Sequence, residues 1–352
     1  MKKMGTVSFA LGLIYYGVWL AMKNTSTTIA NELFKLWPVI FIILGIEILI
    51  SSRKSMEGTP HHFNGGVIFI ILLFFFTNVY NDTYGFINKG FSGLSNNFWN
   101  ISFDSNTKDI EASKVITTKD KKFRFETKNG SVNIKKSNDG NVRLQLTIKV
   151  NNDNQGKKYE INDKNQDGFD SVDIDENYVK GVEGTIYIPD GFDLSLMINN
   201  SKISTYDNLS NSTMDIQSQN GKFDVQSLAN LNIDTNNADL DIKDVNNIKV
   251  KGNNIKNNID GNVENADIDM ENGTVDINNY NFTRIKINAN NAVVKLNTKE
   301  KNIKASLSCK MGSIKFNDEH LNNGELKRNT GDGSNSADIT LKLGSIKISS
   351  QE

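Results

Sequence analysis

The sequence predicts a membrane protein in two parts, an N-terminal helical transmembrane module followed by an all-β repeat domain. Three observations support this prediction. The first 80 residues contain three long apolar stretches, as expected of transmembrane helices. After residue 101 apolar and polar side chains alternate strictly, which is typical of strands. Short turn motifs recur in that second part about every 18 residues.

The composition argues against several classes of protein. Lys and Arg number 40 and Asp and Glu number 41, so the formal net charge of −1 gives no reason to expect nucleic acid as a partner. The single cysteine excludes an internal disulfide framework and a four-cysteine zinc site. Three histidines leave little material for a metal or catalytic centre. We therefore expect a protein that is not an enzyme, without a cofactor or catalytic residues.

Residues 1–80 form the predicted membrane module. Their three apolar stretches are each slightly shorter than the ~20 residues that cross a bilayer, but flanking small residues can extend them. Only helices satisfy the backbone of a single segment in lipid. The predicted helices cover about 5–22, 35–51 and 65–80. The first follows two lysines, as a signal peptide does, but no convincing small-x-small cleavage site precedes Asn24.

The positive charges of the short loops predict the orientation of this module. One side carries Lys2, Lys3, Arg53 and Lys54, and the other carries Lys23, Lys35 and Lys89. The first side has the larger number in the shorter segments, so we expect it in the cytoplasm and everything after residue 80 outside. Trp19 and Trp37 then fall at the outer interface, where amphipathic rings are favoured.

Glu47 is the acidic residue inside a predicted span. Intramembrane carboxylates are costly and often functional. Glu47 lies near the inner end, however, where it can extend toward Arg53 and Lys54. We therefore expect a structural or helix-packing role for it. The small residues that allow helices to approach closely are Gly12, Gly17 and Gly45.

Residues 81–100 link the two parts and are too polar for a fourth span. Their aromatic and aliphatic side chains recur at roughly helical spacing, which favours an amphipathic helix on the membrane surface. Gly85, Gly90 and Gly93 favour instead a glycine-rich linker with aromatic anchors. Both interpretations remain open.

Residues 101–352 form the predicted β-repeat domain, in which short strands meet at small turns. Steps of 17 to 20 residues separate successive turns from Ser201 to Gly312, and the last step of 32 contains an extra segment over 318–337. Stacked repeats of this length bury a continuous core. The pattern fits a closed β-solenoid and an open rack equally. The turn residues are Gly130, Ser201, Gly221, Ala238, Ile255, Gly273, Ala292, Gly312 and Gly344.

Asparagine is abundant at these turns. It tolerates the positive φ of tight turns, and stacked asparagines can form hydrogen-bonded ladders. An AT-rich genome, which encodes Asn, Lys and Ile freely, would explain the abundance equally well.

Two stretches resemble known families. The line from Gly184 to Ser204, with its Ile-Pro-Asp-Gly turn, resembles the bacterial β-strand-repeat family named "putative adhesin". Trp37-Pro38 and the run ILGIEIL resemble the LiaF-type transmembrane domain. LiaF-like proteins of Gram-positive bacteria join such a module to a β-repeat, or toast-rack, domain. Many relatives have four spans where this sequence shows three. The resemblance implies an envelope-stress or adhesin-like role and transfers no catalytic residue.

Two functions follow from this organisation. The first is a regulator or scaffold whose helices sit in the lipid bilayer and contact another membrane protein, such as a sensor kinase. The alternative is an adhesin-like module that binds an envelope polymer or a protein along the side of its stack. A single helix suffices for an anchor, so three spans favour the first. The sequence predicts no oligomeric state.

Asp163, Asn165 and Asp167, followed by Gly168, resemble the start of a calcium loop. The twelfth position is Ile174 where a calcium loop has Glu, and strand-like alternation surrounds the pattern. Whether it binds a metal is left open, and we assign no metal ligand. The other isolated candidates for ligand or nucleophile are His61, His62, His320 and Cys309.

Overall fold

The computed structural model describes residues 6–25, 46–47, 107–118, 120–151, 158–279 and 281–350. The chain divides into two compact units, Met1–Asn88 and Lys89–Glu352. The third predicted span, most of the second, the linker, most of the loop charges, His61 and His62 lie outside the described residues. The domain boundaries, the span number and the orientation therefore stay predictions.

In the first unit, helix α1 (Thr6–Thr25) covers the first predicted span. The Glu47 carboxylate accepts hydrogen bonds from the Ser8 backbone N–H at 2.9 Å and from the Ser8 hydroxyl at 2.6 Å. That N–H belongs to the first turn, whose donors have no partner within the helix. Glu47 therefore caps α1, which is a structural role. Arg53 and Lys54, its expected partners, lie outside the described residues.

The side chains of α1 divide into two faces. Ser8, Gly12 and Trp19 are buried, and the Trp19 ring lies 5.3 Å from that of Tyr16. Trp19 therefore packs within its unit. Among the described residues, Gly17 has no neighbouring atom where a Cβ would stand, so its expected role in helix packing stays a prediction. Across the described part of the chain, no helix meets the combined length and apolarity that a membrane crossing demands.

The described part of the second unit is built of strands. The strands are β1 (Thr107–Ile116), β2 (Lys122–Lys136), β3 (Val142–Asn151), β4 (Asp163–Gln166), β5 (Phe169–Ile174), β6 (Val179–Ile188), β7 (Asp193–Thr205), β8 (Leu209–Gly261), β9 (Asn265–Asn279), β10 (Arg284–Thr298), β11 (Ile303–Phe316), β12 (Glu319–Asn329) and β13 (Asn335–Ser350). The all-β prediction for this part is confirmed.

The strands hydrogen-bond in the order β1-β3-β6-β2-β7-β8-β9-β10-β13-β11-β12, and β5, with β4 beside it, adds to β2. Pairing is parallel from β2 through β11. It becomes antiparallel at both ends of the stack, where β1 joins β3 and β12 joins β11. The parallel region contains the predicted repeats, and the antiparallel strands close its ends.

The predicted turn residues are aligned across the stack. Gly130 pairs with Ser201, and Gly273 pairs with Ile255 on one side and Ala292 on the other. Each repeat therefore stacks in register on the next. We call one repeat a rung and the segments before and after its turn residue the first and second arm.

Burial shows that the rungs coil around a core. In β9 the buried positions alternate as even numbers from Ala266 to Met270 and as odd numbers from Gly273 to Ile277. An uninterrupted strand keeps one parity, because its side chains alternate between two faces. Because the parity changes at the turn, the apolar side chains of both arms face the same interior. The described unit is thus a β-solenoid, not an open single-sheet rack.

The extra segment between the last two turn residues changes the order of the rungs. β12 runs back antiparallel along the outside of β11, and β13 then inserts between β10 and β11. As a result Gly344 lies between Ala292 and Gly312 in the stack. The last two rungs are exchanged relative to their order in the sequence.

An ion pair lies across the core at each end of the solenoid. Lys114 of β1 contacts Asp163 of β4 at 2.9 Å, and Arg328 contacts Glu319 within β12. Each of these residues pairs across its strand with a buried apolar residue, namely Leu144, Val172, Ala305 and Phe316, and so faces inward. Inward-pointing charge discourages edge-to-edge association. The two pairs therefore cap the core.

Candidate functional site

A ladder of asparagine side chains follows the turns of the solenoid. Each Nδ2 donates to the Oδ1 of the preceding rung at 2.8 to 3.1 Å. At its start Asn129 donates to the Lys180 carbonyl at 2.9 Å. The ladder gives the asparagines at the turns a structural role. Its members are Asn129, Asn200, Asn220, Asn237, Asn254, Asn272 and Asn291.

A groove lies beside this ladder, on the outer surface of the first arms. It has a volume of about 460 Å³ and crosses the rungs of Gly130, Ser201, Gly221 and Ala238. Side chains on the outer face of a parallel stack form columns along its axis, and one such column lies in the groove. The column consists of Glu126, Met197, Gln217 and Asp234.

The turn between β5 and β6 borders the groove. Asp175 in this turn lines it, and the Lys128 ammonium donates to the Asp175 carbonyl at 2.7 Å. The buried Thr127 hydroxyl donates to the Ile174 carbonyl at 2.8 Å. These two bonds fix the turn to the rung of Gly130, so this wall of the groove is held in place.

Five polar side chains in the groove are unpaired, unlike those of the ladder. Within the stretches that the structure describes, the side chains of Glu126, Asn199, Gln217, Gln219 and Asp234 make no hydrogen bond or ion pair. Their hydrogen-bonding groups remain available to a ligand. No sequence motif distinguishes these residues from other outward-facing polar residues, so the sequence does not predict the groove.

The calcium-like pattern lies on a hairpin. β4 and β5 pair antiparallel, and their two-residue turn is Asp167 with φ 54° and Gly168 with φ 77°. Positive φ at both positions is the geometry that Asp-Gly favours in a tight hairpin. The oxygen-bearing side chains have separate partners: Lys114 for Asp163, Asp170 for Asn165 and Arg124 for Asp167.

These side chains therefore do not converge on a common centre. Among the described residues there is no group of three or more His, Cys, Asp or Glu side chains that could hold a metal ion. The Asp-x-Asn-x-Asp-Gly sequence pattern therefore results from the alternation of strand β4 followed by a tight turn.

The two remaining described candidates lie apart from the groove. His320 is exposed on β12, where it pairs across the strand with Lys315. Cys309 is buried, and burial raises the pKa of its thiol above the ordinary value. Its Sγ lies 3.6 Å from the Gly344 carbonyl oxygen. A buried thiol with a raised pKa is a poor nucleophile, so Cys309 is a core residue.

The Ile-Pro-Asp-Gly turn is organised by Asp190. Its carboxylate accepts hydrogen bonds from the Asn211 backbone N–H at 3.1 Å and side chain at 2.9 Å, and it faces Lys136 at 3.5 Å. Burial alone would raise the pKa of Asp190, but these hydrogen bonds and the lysine charge hold it below its ordinary value. This turn therefore has a structural role in joining β6 to the rung of Ser201.

The chain thus belongs to the proteins in which an N-terminal unit, here containing helix α1, is joined to a β-solenoid with a polar lateral groove. Residues 8–99 match the family model described as the LiaF transmembrane domain. The resemblance predicted from Trp37-Pro38 and the apolar run after it is thereby confirmed. The match associates the N-terminal part of the chain with a membrane.

Three similar solved structures are described as adhesins or cell adhesion proteins. A "putative cell adhesion protein" from Clostridium sporogenes is 13% identical with a TM-score of 0.22, and the alignment covers 68% of this chain and 100% of that one. A "putative adhesin" from Bacteroides fragilis is 13% identical, with a TM-score of 0.34 and coverage of 69% and 97%. Another from Parabacteroides merdae is 14% identical, with a TM-score of 0.37 and coverage of 68% and 96%. No curated protein matches the chain.

Proposed function

We propose that the protein is a membrane-anchored regulator or scaffold in cell-envelope stress sensing, which acts through protein–protein contacts and has no enzymatic activity. Three helices anchor it, and the β-solenoid lies outside the cytoplasm. The observation that carries this proposal is the match of residues 8–99 to the LiaF transmembrane domain, joined to a separate β unit. The matched region of residues 8–99 is longer than the single helix that would suffice as a membrane anchor.

The two faces of α1 support a role in helix contacts. Its buried face carries Ser8, which is bonded to Glu47, whereas Leu11, Ile14 and Val18 are 42%, 62% and 46% exposed. Lipid or the helix of another membrane protein would cover such an apolar face. We propose that it contacts a membrane partner such as a sensor kinase.

The β unit supports binding over catalysis. The single thiol, Cys309, is buried in the core, and the exposed His320 is on the outermost strand. The unpaired groups of the groove are amides and carboxylates. These groups recognise a ligand through hydrogen bonds, which is what a sensing domain requires.

An adhesin-like surface-binding module is the second candidate function. The lateral groove favours it, because a site on the outer face of the solenoid is accessible to a polymer or a protein. In that function the helices serve only to hold the β unit at the membrane.

Exchange of the first unit separates these two functions. Residues 1–88 are replaced by an unrelated single-helix anchor, and residues 89–352 are retained. A regulator loses both its response in an envelope-stress reporter and the membrane protein that crosslinks to it in the native membrane. An unchanged reporter response, together with retained binding of cell-wall material, would contradict the regulator and favour the adhesin-like module.

A further inference from the structure

The groove on the first arms offers a built set of hydrogen-bonding groups. Its volume of about 460 Å³ lies within the range of small-molecule sites. Three amides, those of Asn199, Gln217 and Gln219, line it beside the apolar side chain of Met197. Each amide can both donate and accept hydrogen bonds.

Adjacent asparagines show that these amides are distinctive. Asn200 and Asn220 are hydrogen-bonded within the ladder at 2.8 and 2.9 Å. Asn199 and Gln219, which precede them directly, have side chains without a partner in the described residues. Further along the stack, the same column is also bonded, since Asn253 donates to Asn236 at 3.3 Å. The free amides of this column are therefore confined to the groove. A ligand rich in hydroxyl groups matches this combination of donors and acceptors.

The charge of the groove restricts the ligand further. Three acidic residues line it, Glu126, Asp175 and Asp234. Lys128 is the lining residue that carries a positive charge, and its ammonium already donates to a carbonyl oxygen. The excess of negative charge repels phosphate- or uronate-bearing polymers and attracts amino groups.

The arrangement of the backbone disfavours a peptide that would bind in the groove as an added strand. Met197 pairs with Glu126 on one side and Gln217 on the other, so the rungs under the groove have parallel neighbours that satisfy their backbone groups. A peptide added as a strand needs a free sheet edge. The groove instead offers side chains that recur along the axis at the strand spacing of about 4.8 Å. A linear polymer lying along the axis meets one of them at each step.

We propose that this groove binds a linear, hydroxyl-rich glycan that carries no anionic groups, and that glycans with free amino groups bind most tightly. All residues of this groove belong to the β unit, so the site does not depend on the proposed membrane partner. A regulator and an adhesin-like module could both use such a site.

The test is calorimetric titration of the full-length protein in detergent micelles with three oligosaccharides of equal length. We expect the glucosamine oligomer to bind most tightly, the N-acetylglucosamine oligomer more weakly, and the galacturonate oligomer not at all. Failure of both the first and the second to bind would overturn the proposal, as would tighter binding of the galacturonate oligomer.

Matched variants show whether binding occurs in the groove. Asp234→Asn and Gln217→Ala should each weaken binding of the glucosamine oligomer about tenfold, as expected for loss of a hydrogen bond to a charged or polar ligand group. Asp269→Asn and Asn288→Ala change the same column outside the groove and should leave binding unchanged. Equal losses in both pairs would overturn the assignment to the groove.

Discussion

At the residue scale, two asparagines on one rung show opposite uses of the same side chain. Asn254 donates to Asn237 at 2.8 Å and accepts from Asn272 at 3.1 Å in the ladder. Asn257, on the second arm, is 1% exposed, and its amide nitrogen and oxygen have no hydrogen-bond partner within the structure described. A buried polar group without a partner loses its hydration and gains nothing in return. The ladder asparagine should therefore stabilise the fold, and the core asparagine should destabilise it.

Asn257→Val is predicted to raise the free energy of unfolding by about 1–3 kcal/mol, because it removes an orphaned amide. Its parallel neighbour in the register is the buried Val275, so the site is suited to valine. Asn254→Val, the matched control on the same rung, should lower the free energy of unfolding. Denaturant unfolding of the two variants measures both changes. A loss of stability in both would show that the Asn257 amide is satisfied in solution.

At the element scale, the edge strands determine where the solenoid ends. β12 exposes most of its residues and has no strand on its outer side among the described residues. An unpaired edge is a template for association with another chain. The inward Arg328 and Glu319 place a paired charge where each earlier rung has apolar side chains. Stack termination thus depends on side-chain charge as well as on the reversal of strand direction.

Arg328→Leu is predicted to promote concentration-dependent association of the protein, because it replaces the charge at the end of the core with an apolar surface. Lys327→Leu adds the same side chain next to it, at a position whose partner Ser306 faces outward, and should have little effect. Sedimentation velocity of both variants in the same detergent measures the change. Identical profiles for the two would count against a capping role of the Arg328–Glu319 pair.

At the scale of the whole molecule, the core of the solenoid is internal to the second unit. Its buried apolar cluster extends from Ala112 to Ile348, and every rung between contributes to it. Stacked repeats derive their stability from their own packing and from contacts with their neighbours. The apolar surface that drives folding of this unit therefore comes from its own strands.

A fragment of residues 89–352 is predicted to fold without residues 1–88. We expect it to be soluble, to show a β-type circular dichroism spectrum and to unfold at nearly the same temperature as the β signal of the full-length protein. A shuffled-sequence fragment of the same composition is the control for residual structure. An unfolded or aggregated native fragment would show that the second unit depends on the first.

Three features could be predicted before folding: the all-β repeat architecture, the turn residues of the rungs and the resemblance of the N-terminal part to the LiaF transmembrane domain. Alternation and repeat length are local properties, and the stack aligns residues such as Gly130 and Ser201 as the repeat predicted. The closed solenoid, the insertion of β13 between β10 and β11 and the capped ends become visible only in the folded chain. Folding also decides which polar residues line a groove, because Gln217 and Asp234 meet there only through stacking of separate rungs. Contacts between residues distant in sequence depend on how the rungs stack. The alternation within one rung does not predict which residues of other rungs will lie beside it.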